Sequence, residues 1–326
     1  MTDWLERWQI TLYLLALGAG ALIGLTIPST APAFEVAINP VLMVLLYATF
    51  LSVPFTKLGR ALRDVRFLAG LLVLNFIIVP VVVYGLSRFV ADDQALLLGV
   101  LLVLLTPCID YVIVFSGLAG AAHDRLLAAA PLLMVLQMVL LPVYLGLFVG
   151  PELFEVIDSG PFLEALFLLI IIPLGAAALT QYLATKWAGA QKLMHGMQAV
   201  MVPLMILTLT VVVASQIDAV RTDLGSLLKV IPLYVAFLIL MIPLGVLTGR
   251  ALQQDVPTIR ATVFSGATRN SLVVLPLALA LPDTLALAAV VVVTQTLIEL
   301  LGMVAYVRII PRLIPHSASV SPGPSN

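Results

Sequence analysis

The sequence predicts an all-α membrane protein with ten transmembrane helices, arranged as two inverted repeats of five. Three observations indicate this fold class. Hydrophobic residues make up 62% of the 326-residue chain and charged residues only 10%, whereas a soluble domain carries about 25% charged residues. Apolar runs of about 18 residues or more, the length needed to cross a bilayer, recur along the chain with short loops between them. The second half also repeats features of the first half at a nearly constant spacing.

The apolar runs set the boundaries of the ten predicted spans. The spans cover residues 10–27, 39–56, 67–89, 97–118, 127–149, 163–184, 197–215, 229–249, 261–281 and 285–308. They predict one transmembrane domain over residues 1–312. The first run leads into a short loop without a small-residue cleavage site, so we interpret it as a retained helix rather than a signal peptide. Residues 313–326 are polar and rich in serine and proline, which predicts a disordered tail.

The positive charges predict the orientation of the spans. Lysine and arginine are enriched in the cytoplasmic loops of membrane proteins. With the N-terminus in the cytoplasm, twelve of the sixteen lysines and arginines fall on the cytoplasmic side and three fall outside. We therefore expect a multi-pass protein of the inner cell membrane, with both termini and the tail in the cytoplasm.

The internal repeat is visible as matched residues in the two halves. An offset of 163 residues recurs in three identical pairs: Pro40 and Pro203, Ser52 and Ser215, and Pro80 and Pro243. The offset shortens to 158 between Gln137 and Gln295. These matches predict repeat one over about 10–149 and repeat two over about 163–308. Five spans are an odd number, so the second repeat is inverted, which is the usual build of a secondary transporter.

Spans 4 and 9 are predicted to be broken helices that cross. In span 4, Pro107 removes a backbone donor and clashes with the preceding turn. It directly precedes Cys108, the only cysteine of the chain. In span 9, Gly266 and the polar residues 268–271 interrupt the apolar run. Such breaks are tolerated in a bilayer only inside protein or along a cavity, and they direct half-helix N-termini at a binding site.

The residues at these breaks are the candidate substrate-binding residues: Cys108, Asp110, Arg269, Asn270 and Ser271. Ionisable groups at membrane depth are costly and mark functional sites. Thiolates are soft ligands, so Cys108 predicts a thiophilic substrate, although a buried cysteine can also be a small packing residue. Two interpretations of Asp110 and Arg269 are open, and both can hold: a buried ion pair that joins the broken helices, and a fixed positive charge of Arg269 in the site that Asp110 tunes.

Glu299 in span 10 is the candidate proton-coupling residue. The sequence shows no obvious local partner for it, and Gln295 lies one helical turn back on the same face. A carboxylate at this depth either carries protons or is a neutral carboxyl bonded between helices. The chain has no phosphate-binding loop, no zinc-protease motif and no serine-hydrolase motif, so we expect neither enzyme activity nor a cofactor. The formal net charge of −1 indicates no nucleic-acid partner.

At these residues the chain resembles a known group of transporters. Ten spans in two inverted halves with crossed breaks resemble the bile acid:sodium symporter superfamily, over about residues 10–312. Within it, Thr106-Pro107-Cys108-Ile109 resembles the proline-cysteine motif of the arsenite efflux permeases, the yeast-type arsenical resistance family. Leu297-Ile298-Glu299-Leu300 resembles the carboxylate segment of their tenth span. The resemblance implies that Cys108 is the metalloid ligand required for arsenite transport and that Glu299 takes part in it.

Asp110 and Arg269 depart from the arsenite permease pattern and indicate a divergent branch. Sodium-coupled members of the superfamily carry a glutamate ahead of a Gln-Asn pair in span 9. This chain has Ser265 near that glutamate position and Arg269 in place of the glutamine. A fixed positive charge where sodium would bind favours proton coupling instead.

We therefore predict a secondary transporter that exports trivalent arsenite, or antimonite, by proton antiport. The alternative is an ion-coupled transporter of a small organic anion held by Arg269 and the half-helix N-termini, with Cys108 as a packing residue. A sensor or scaffold without transport is disfavoured, because it has no use for two matched broken helices.

Overall fold

The computed structural model of the protein describes residues 2–52, 63–109, 111–150, 167–222 and 224–315. Within these ranges every regular element is a helix and no strand is present. Six helical stretches are long and apolar enough to cross a membrane: Pro28–Ser52, Val65–Val90, His123–Val149, Met201–Asp218, Gly225–Ala251 and Leu287–Leu313. The chain is therefore an all-α, multi-pass membrane protein. Three expectations stay predictions: the ten spans in inverted repeats, the single domain over residues 1–312, and the orientation in the membrane.

Seven helices occupy the described part of the chain up to residue 150. They are α1 (Thr2–Thr26), α2 (Ala31–Ser52), α3 (Val65–Val73), α4 (Val79–Ser87), α5 (Gln94–Leu104), α6 (Tyr111–Leu118) and α7 (His123–Val149). A π turn at Leu74–Ile78 joins α3 to α4, and 3₁₀ turns lie at Pro28–Thr30 and Arg88–Val90.

Seven further helices occupy the described part from residue 167 onward. They are α8 (Ile172–Ala184), α9 (Ala188–Ala199), α10 (Met201–Thr222), α11 (Leu224–Ala251), α12 (Val256–Ala267), α13 (Ser271–Leu279) and α14 (Leu287–Leu313). A π turn at Phe167–Ile171 precedes α8, and a 3₁₀ turn at Asp283–Leu285 precedes α14.

Side-chain caps start the helices that lead into the two breaks. Asp93 accepts hydrogen bonds from the backbone N–H groups at the start of α5, at 3.1 Å each. Asp255 accepts one from Thr258 at the start of α12, where Pro257 occupies the first turn. Carboxylate caps and an early proline both stabilise a helix N-terminus. These two helices therefore begin at positions that their local sequence specifies.

Predicted and observed helix boundaries differ in several places, three of which change how a segment is interpreted. The segment after Pro28, interpreted as a loop, is a 3₁₀ turn followed by the first turns of α2. The apolar run at 197–215 is divided at Val200, where α9 ends and α10 follows. The last helix continues to Leu313, one residue into the predicted tail, while residues 316–326 lie outside the described ranges.

The helices form two packed groups. One group contains α1, α2, α8, α9 and α10, with its most extensive interface between α1 and α10. At Gly20 this interface is so close that a Cβ atom would lie 2.8 Å from the carbonyl oxygen of Thr210, as small residues permit in membrane helices. The other group contains α3 to α7 and α11 to α14. Both predicted breaks lie in this second group.

Candidate functional site

Both predicted interruptions are present, and they meet in the buried centre of the second helix group. In one, α5 ends at Leu104 and α6 begins at Tyr111. In the other, α12 ends at Ala267 and α13 begins at Ser271. Two half-helix C-termini and two half-helix N-termini therefore converge, with the partial negative and positive charges that such ends carry.

The two breaks pair with each other as a short antiparallel bridge between Pro107 and Arg269. Buried backbone groups need partners, and here each break supplies them to the other. Two hydrogen bonds flank the bridge: Cys108 N–H to the Thr268 carbonyl at 3.1 Å, and Asn270 N–H to the Thr106 carbonyl at 2.8 Å.

The side chain of Thr106 completes the end of α5. Its hydroxyl lies 3.0 Å from the carbonyl oxygens of both Leu102 and Val103. Pro107 has no N–H to donate to the Val103 carbonyl, which accepts instead from the Thr106 hydroxyl and, at 3.4 Å, from the Thr106 backbone N–H. The threonine-proline pair thus ends the helix without leaving this carbonyl unsatisfied.

Arg269 is fully buried, with 0% of its surface exposed, and its guanidinium is held by oxygen atoms. Nη2 lies 2.7 Å from the carbonyl oxygens of Ser265 and Gly266 and 2.8 Å from Oδ1 of Asn75. Nη1 lies 3.4 Å from the carbonyl oxygen of Leu104. The positive side chain therefore lies against the C-terminal ends of α12 and α5, where the helix dipole favours a cation.

The ring of Phe237 and the freed carbonyls of α12 complete this environment. The guanidinium carbon lies 5.5 Å from the Phe237 ring centroid, within the range of a cation–π contact. In an unbroken helix the Ser265 carbonyl would accept the N–H of Arg269. That N–H is instead bonded to Glu299, so the break releases the carbonyl to the guanidinium.

Glu299 is 1% exposed and accepts three hydrogen bonds. The Tyr111 hydroxyl lies 2.6 Å from Oε1, and the backbone N–H of Arg269 donates to Oε2 at 2.8 Å. Nε2 of Gln295 also donates to Oε2, as the one-turn spacing predicts. Gln295 is its donor within the same helix, whereas the other two donors come from two breaks that are distant in the sequence.

The two buried charges complement the helix ends around them. The Arg269 guanidinium contacts carbonyls at two C-termini, whereas the Glu299 carboxylate contacts groups at the N-termini of α6 and α13. Anions are stabilised at N-termini and cations at C-termini. The crossover therefore places a basic side chain against the C-terminal ends of two half-helices and an acidic side chain beside the start of the other two.

The thiol and the polar candidates also lie at the crossover. Cys108 is 1% exposed, and its backbone N–H bonds to the carbonyl of Thr268, the residue before Arg269. Oδ1 of Asn270 caps α13 by accepting from Val273, while its Nδ2 has no hydrogen-bond partner among the described residues. The Ser271 hydroxyl accepts from that of Thr296 at 2.7 Å. The structure thus brings all the described candidates together.

Asp110, the remaining candidate, lies outside the described residues. Whether it pairs with Arg269 stays a prediction. Within the described ranges no group of three or more His, Cys, Asp or Glu side chains could hold a metal ion. That Cys108 binds a metalloid substrate stays a prediction.

A cavity of about 440 Å³ lies between the two helix groups and reaches the start of α6. Its lining includes Tyr111 from the second group and these polar and thioether residues of the first group: Tyr13, Ser52, Gln198, Met201 and Met205. The buried candidates Cys108, Arg269 and Glu299 do not appear in the described lining. Tyr111 connects the cavity to the buried crossover, because it borders the cavity and its hydroxyl contacts Glu299.

Two residues of the site, Asn75 and Tyr111, were not predicted from the sequence. Asn75 is the strongly polar residue in the middle of the apolar run 67–89, well before Ser87 and Arg88 at its end, so a signal for it was present. Tyr111 gives no comparable signal, because its partner Glu299 is 188 residues away in the chain.

A multi-pass, all-α membrane protein with broken helices that meet around buried charges has the build of a secondary transporter. A family model for the Sodium Bile acid symporter family matches residues 39–223, more than half of the chain, and the chain belongs to that family. It is therefore an ion-coupled membrane transporter rather than an enzyme. A comparison with curated proteins finds no match. The predicted superfamily is confirmed, and the arsenite branch stays a prediction.

Proposed function

We propose that this transporter exports trivalent arsenite, or antimonite, from the cytoplasm in exchange for protons. The observation that carries the proposal is the position of Cys108. The only cysteine of the chain is fixed by its backbone N–H at the crossover and is 1% exposed. Sulfur is the soft ligand that a thiophilic metalloid requires.

The binding chemistry suits a lone thiol in a buried site. One S–As bond forms between Cys108 and arsenous acid, the thiol proton leaves with one arsenic hydroxyl as water, and the adduct is neutral. A neutral adduct avoids placing a new charge in a low-dielectric region. A single sulfur also permits release, because hydrolysis of one bond frees the substrate.

The contacts of Tyr111 support proton exchange at Glu299. Its hydroxyl has two acceptors, Oε1 of Glu299 at 2.6 Å and the Arg269 carbonyl at 2.9 Å, but only one hydrogen. When Glu299 is ionised, Tyr111 donates to the carboxylate. When Glu299 is protonated, it can donate to the Tyr111 oxygen while Tyr111 donates to the carbonyl. Both protonation states therefore keep their hydrogen bonds, and Tyr111 links them to the cavity.

The charge of the substrate explains why protons would be needed. Neutral arsenous acid experiences no force from the membrane potential, so export against a gradient requires an exchanged ion. A carboxylate one hydrogen bond from the cavity can supply that exchange.

The contacts of Arg269 argue against the alternative, a small organic anion held by this residue. Its Nη atoms face carbonyl and amide oxygens, and only Nε lacks a partner among the described residues. An anion would have to displace helix-end carbonyls that the guanidinium already neutralises. A positioning role at the crossover fits these contacts better.

The test is arsenite accumulation in an arsenite-sensitive bacterial host that expresses the protein. The wild type should lower intracellular arsenic, Cys108→Ser should not, and Thr248→Val should behave as the wild type. Thr248 is a buried α11 residue whose hydroxyl bonds only within its helix in the described structure, so it controls for the loss of a buried polar group. Membrane amounts are compared by immunoblot. A wild type that is present in the membrane but leaves arsenic unchanged would refute arsenite export, and equal activity of Cys108→Ser would refute the thiol role.

A further inference from the structure

The Nη2 nitrogen of Arg269 lies in a cage of oxygens that has the composition of a cation site. Three oxygens lie within 2.8 Å: Oδ1 of Asn75 and the carbonyls of Ser265 and Gly266. Carbonyl and amide oxygens are the groups with which proteins bind alkali and alkaline-earth cations. The carbonyls also belong to the last turn of α12, where the helix dipole adds negative potential.

The hydrogens of Nη2 are too few to explain why three oxygens surround it. Nη2 carries two hydrogens, yet three oxygens surround it at 2.7 to 2.8 Å. Contacts that do not involve the guanidinium also hold the cage. Nδ2 of Asn75 donates to Oγ of Ser265 and to the Leu71 carbonyl, both at 3.0 Å. The oxygens are therefore organised around a positive charge, and the surrounding chain keeps them in place.

The backbone near Asn75 is also irregular. Asn75 is fully buried and lies in the π turn Leu74–Ile78 between α3 and α4. Turns of this kind inside helices occur frequently at functional sites. The amide of Asn75 reaches α12 from this turn, so the cage joins two separate membrane helices.

We propose that the Arg269 guanidinium is a tethered cation that fills an internal cation site, so that this transporter works without a sodium ion at these oxygens. The family is named for sodium symport, and a covalently attached charge already occupies the cage in this chain. A small neutral residue at position 269 should open the same oxygens to a monovalent cation. This inference concerns the ion and does not depend on arsenite being the substrate.

The experiment measures thermal unfolding of purified, detergent-solubilised protein in choline, sodium, potassium and guanidinium chloride at equal, low ionic strength. The wild type should unfold at the same temperature in all four salts. Arg269→Ala should unfold earlier in choline and should recover by about 3 °C or more, saturably, with sodium, potassium or guanidinium. A saturable sodium stabilisation of the wild type would overturn the proposal, as would an Arg269→Ala variant that responds to none of the cations.

Arg260→Ala is the matched control, because Arg260 is a second buried arginine of α12 that binds carbonyl oxygens. Its guanidinium contacts Ala119 and Ile314 at 2.8 to 3.1 Å, near the end of α14 rather than at the crossover. This variant should be destabilised without a cation-specific recovery. An equal recovery in Arg260→Ala would show a general salt effect and contradict a specific site.

If Arg269→Ala does not fold in any salt, the Arg269→Lys variant tests whether the cage requires a tethered positive charge. Lysine keeps a tethered positive charge, so this variant should fold and should show no preference among the four salts. If Arg269→Lys is as unstable as Arg269→Ala, the shape of arginine rather than its charge holds the crossover, and the proposal fails.

Discussion

The Tyr111 hydroxyl lies 2.6 Å from Oε1 of Glu299, although 188 residues separate the two in the chain. This contact joins the first broken helix to the last membrane helix at the buried centre of the protein. Tyr111 also borders the cavity between the two helix groups. A route from the cavity to the buried carboxylate therefore passes through a single hydroxyl group.

Replacing Tyr111 by phenylalanine removes this hydroxyl and keeps the ring that lines the cavity. A hydrogen bond to a charged group contributes about 1.5–3 kcal/mol, so we expect proton-driven arsenite transport to slow by about tenfold or more. The measurement is arsenite uptake into everted vesicles under an imposed proton gradient. Tyr13→Phe, at another tyrosine that lines the cavity, is the control and should retain transport. Equal rates in Tyr111→Phe and the wild type would contradict a role in proton exchange.

Replacing Glu299 by glutamine keeps the size of the side chain and removes its exchangeable proton. We expect arsenite transport to lose its response to a proton gradient, while exchange of labelled for unlabelled arsenite across the membrane continues. Both activities are measured in the same reconstituted vesicles. Glu299→Asp retains a carboxyl group and should keep part of the coupling. Gradient-driven transport that persists in Glu299→Gln would show that the proton is carried elsewhere.

Replacing Asn75 by alanine removes an oxygen from the Arg269 cage. The guanidinium then loses a 2.8 Å acceptor in a region without solvent, so we expect a loss of about 1.5–3 kcal/mol in the free energy of unfolding. Chemical denaturation of the purified protein measures the change. Asn75→Asp keeps an acceptor oxygen at this position and should lose less. A larger loss in Asn75→Asp than in Asn75→Ala would contradict the role of the oxygen.

Replacing Gly20 by alanine tests the close contact of α1 with α10. A Cβ atom at this position would lie 2.8 Å from the Thr210 backbone, so one helix must move and we expect a lower unfolding temperature. Gly18→Ala is the matched control on the same helix, because a Cβ atom there meets nothing within 4 Å. Alanine favours helix over glycine by about 1 kcal/mol, so the control should be neutral or slightly stabilised. Similar unfolding temperatures for both variants would argue against this packing.

The proline-cysteine break and the polar run in span 9 could be predicted because each is a local feature. Pro107 interrupts a helix through its own ring and missing N–H, and Thr106 compensates within one turn. The division of residues 197–215 into α9 and α10 was missed, because apolar composition continues across Val200, although Pro203 in the first turn of α10 was a local signal for it. Composition therefore located the membrane segments better than it located their ends.

The sequence by itself determined the class of this protein and the positions of the polar and charged residues that are costly to bury in a membrane. An apolar composition of 62% requires a membrane, and charged or thiol groups within apolar runs stand out because burial there is costly. Only the tertiary structure decided which partners those residues have. Arg269 contacts Asn75 across 194 residues, and its backbone N–H contacts Glu299 across 30. Such pairings depend on how distant helices cross, a property that local periodicity and spacing do not encode.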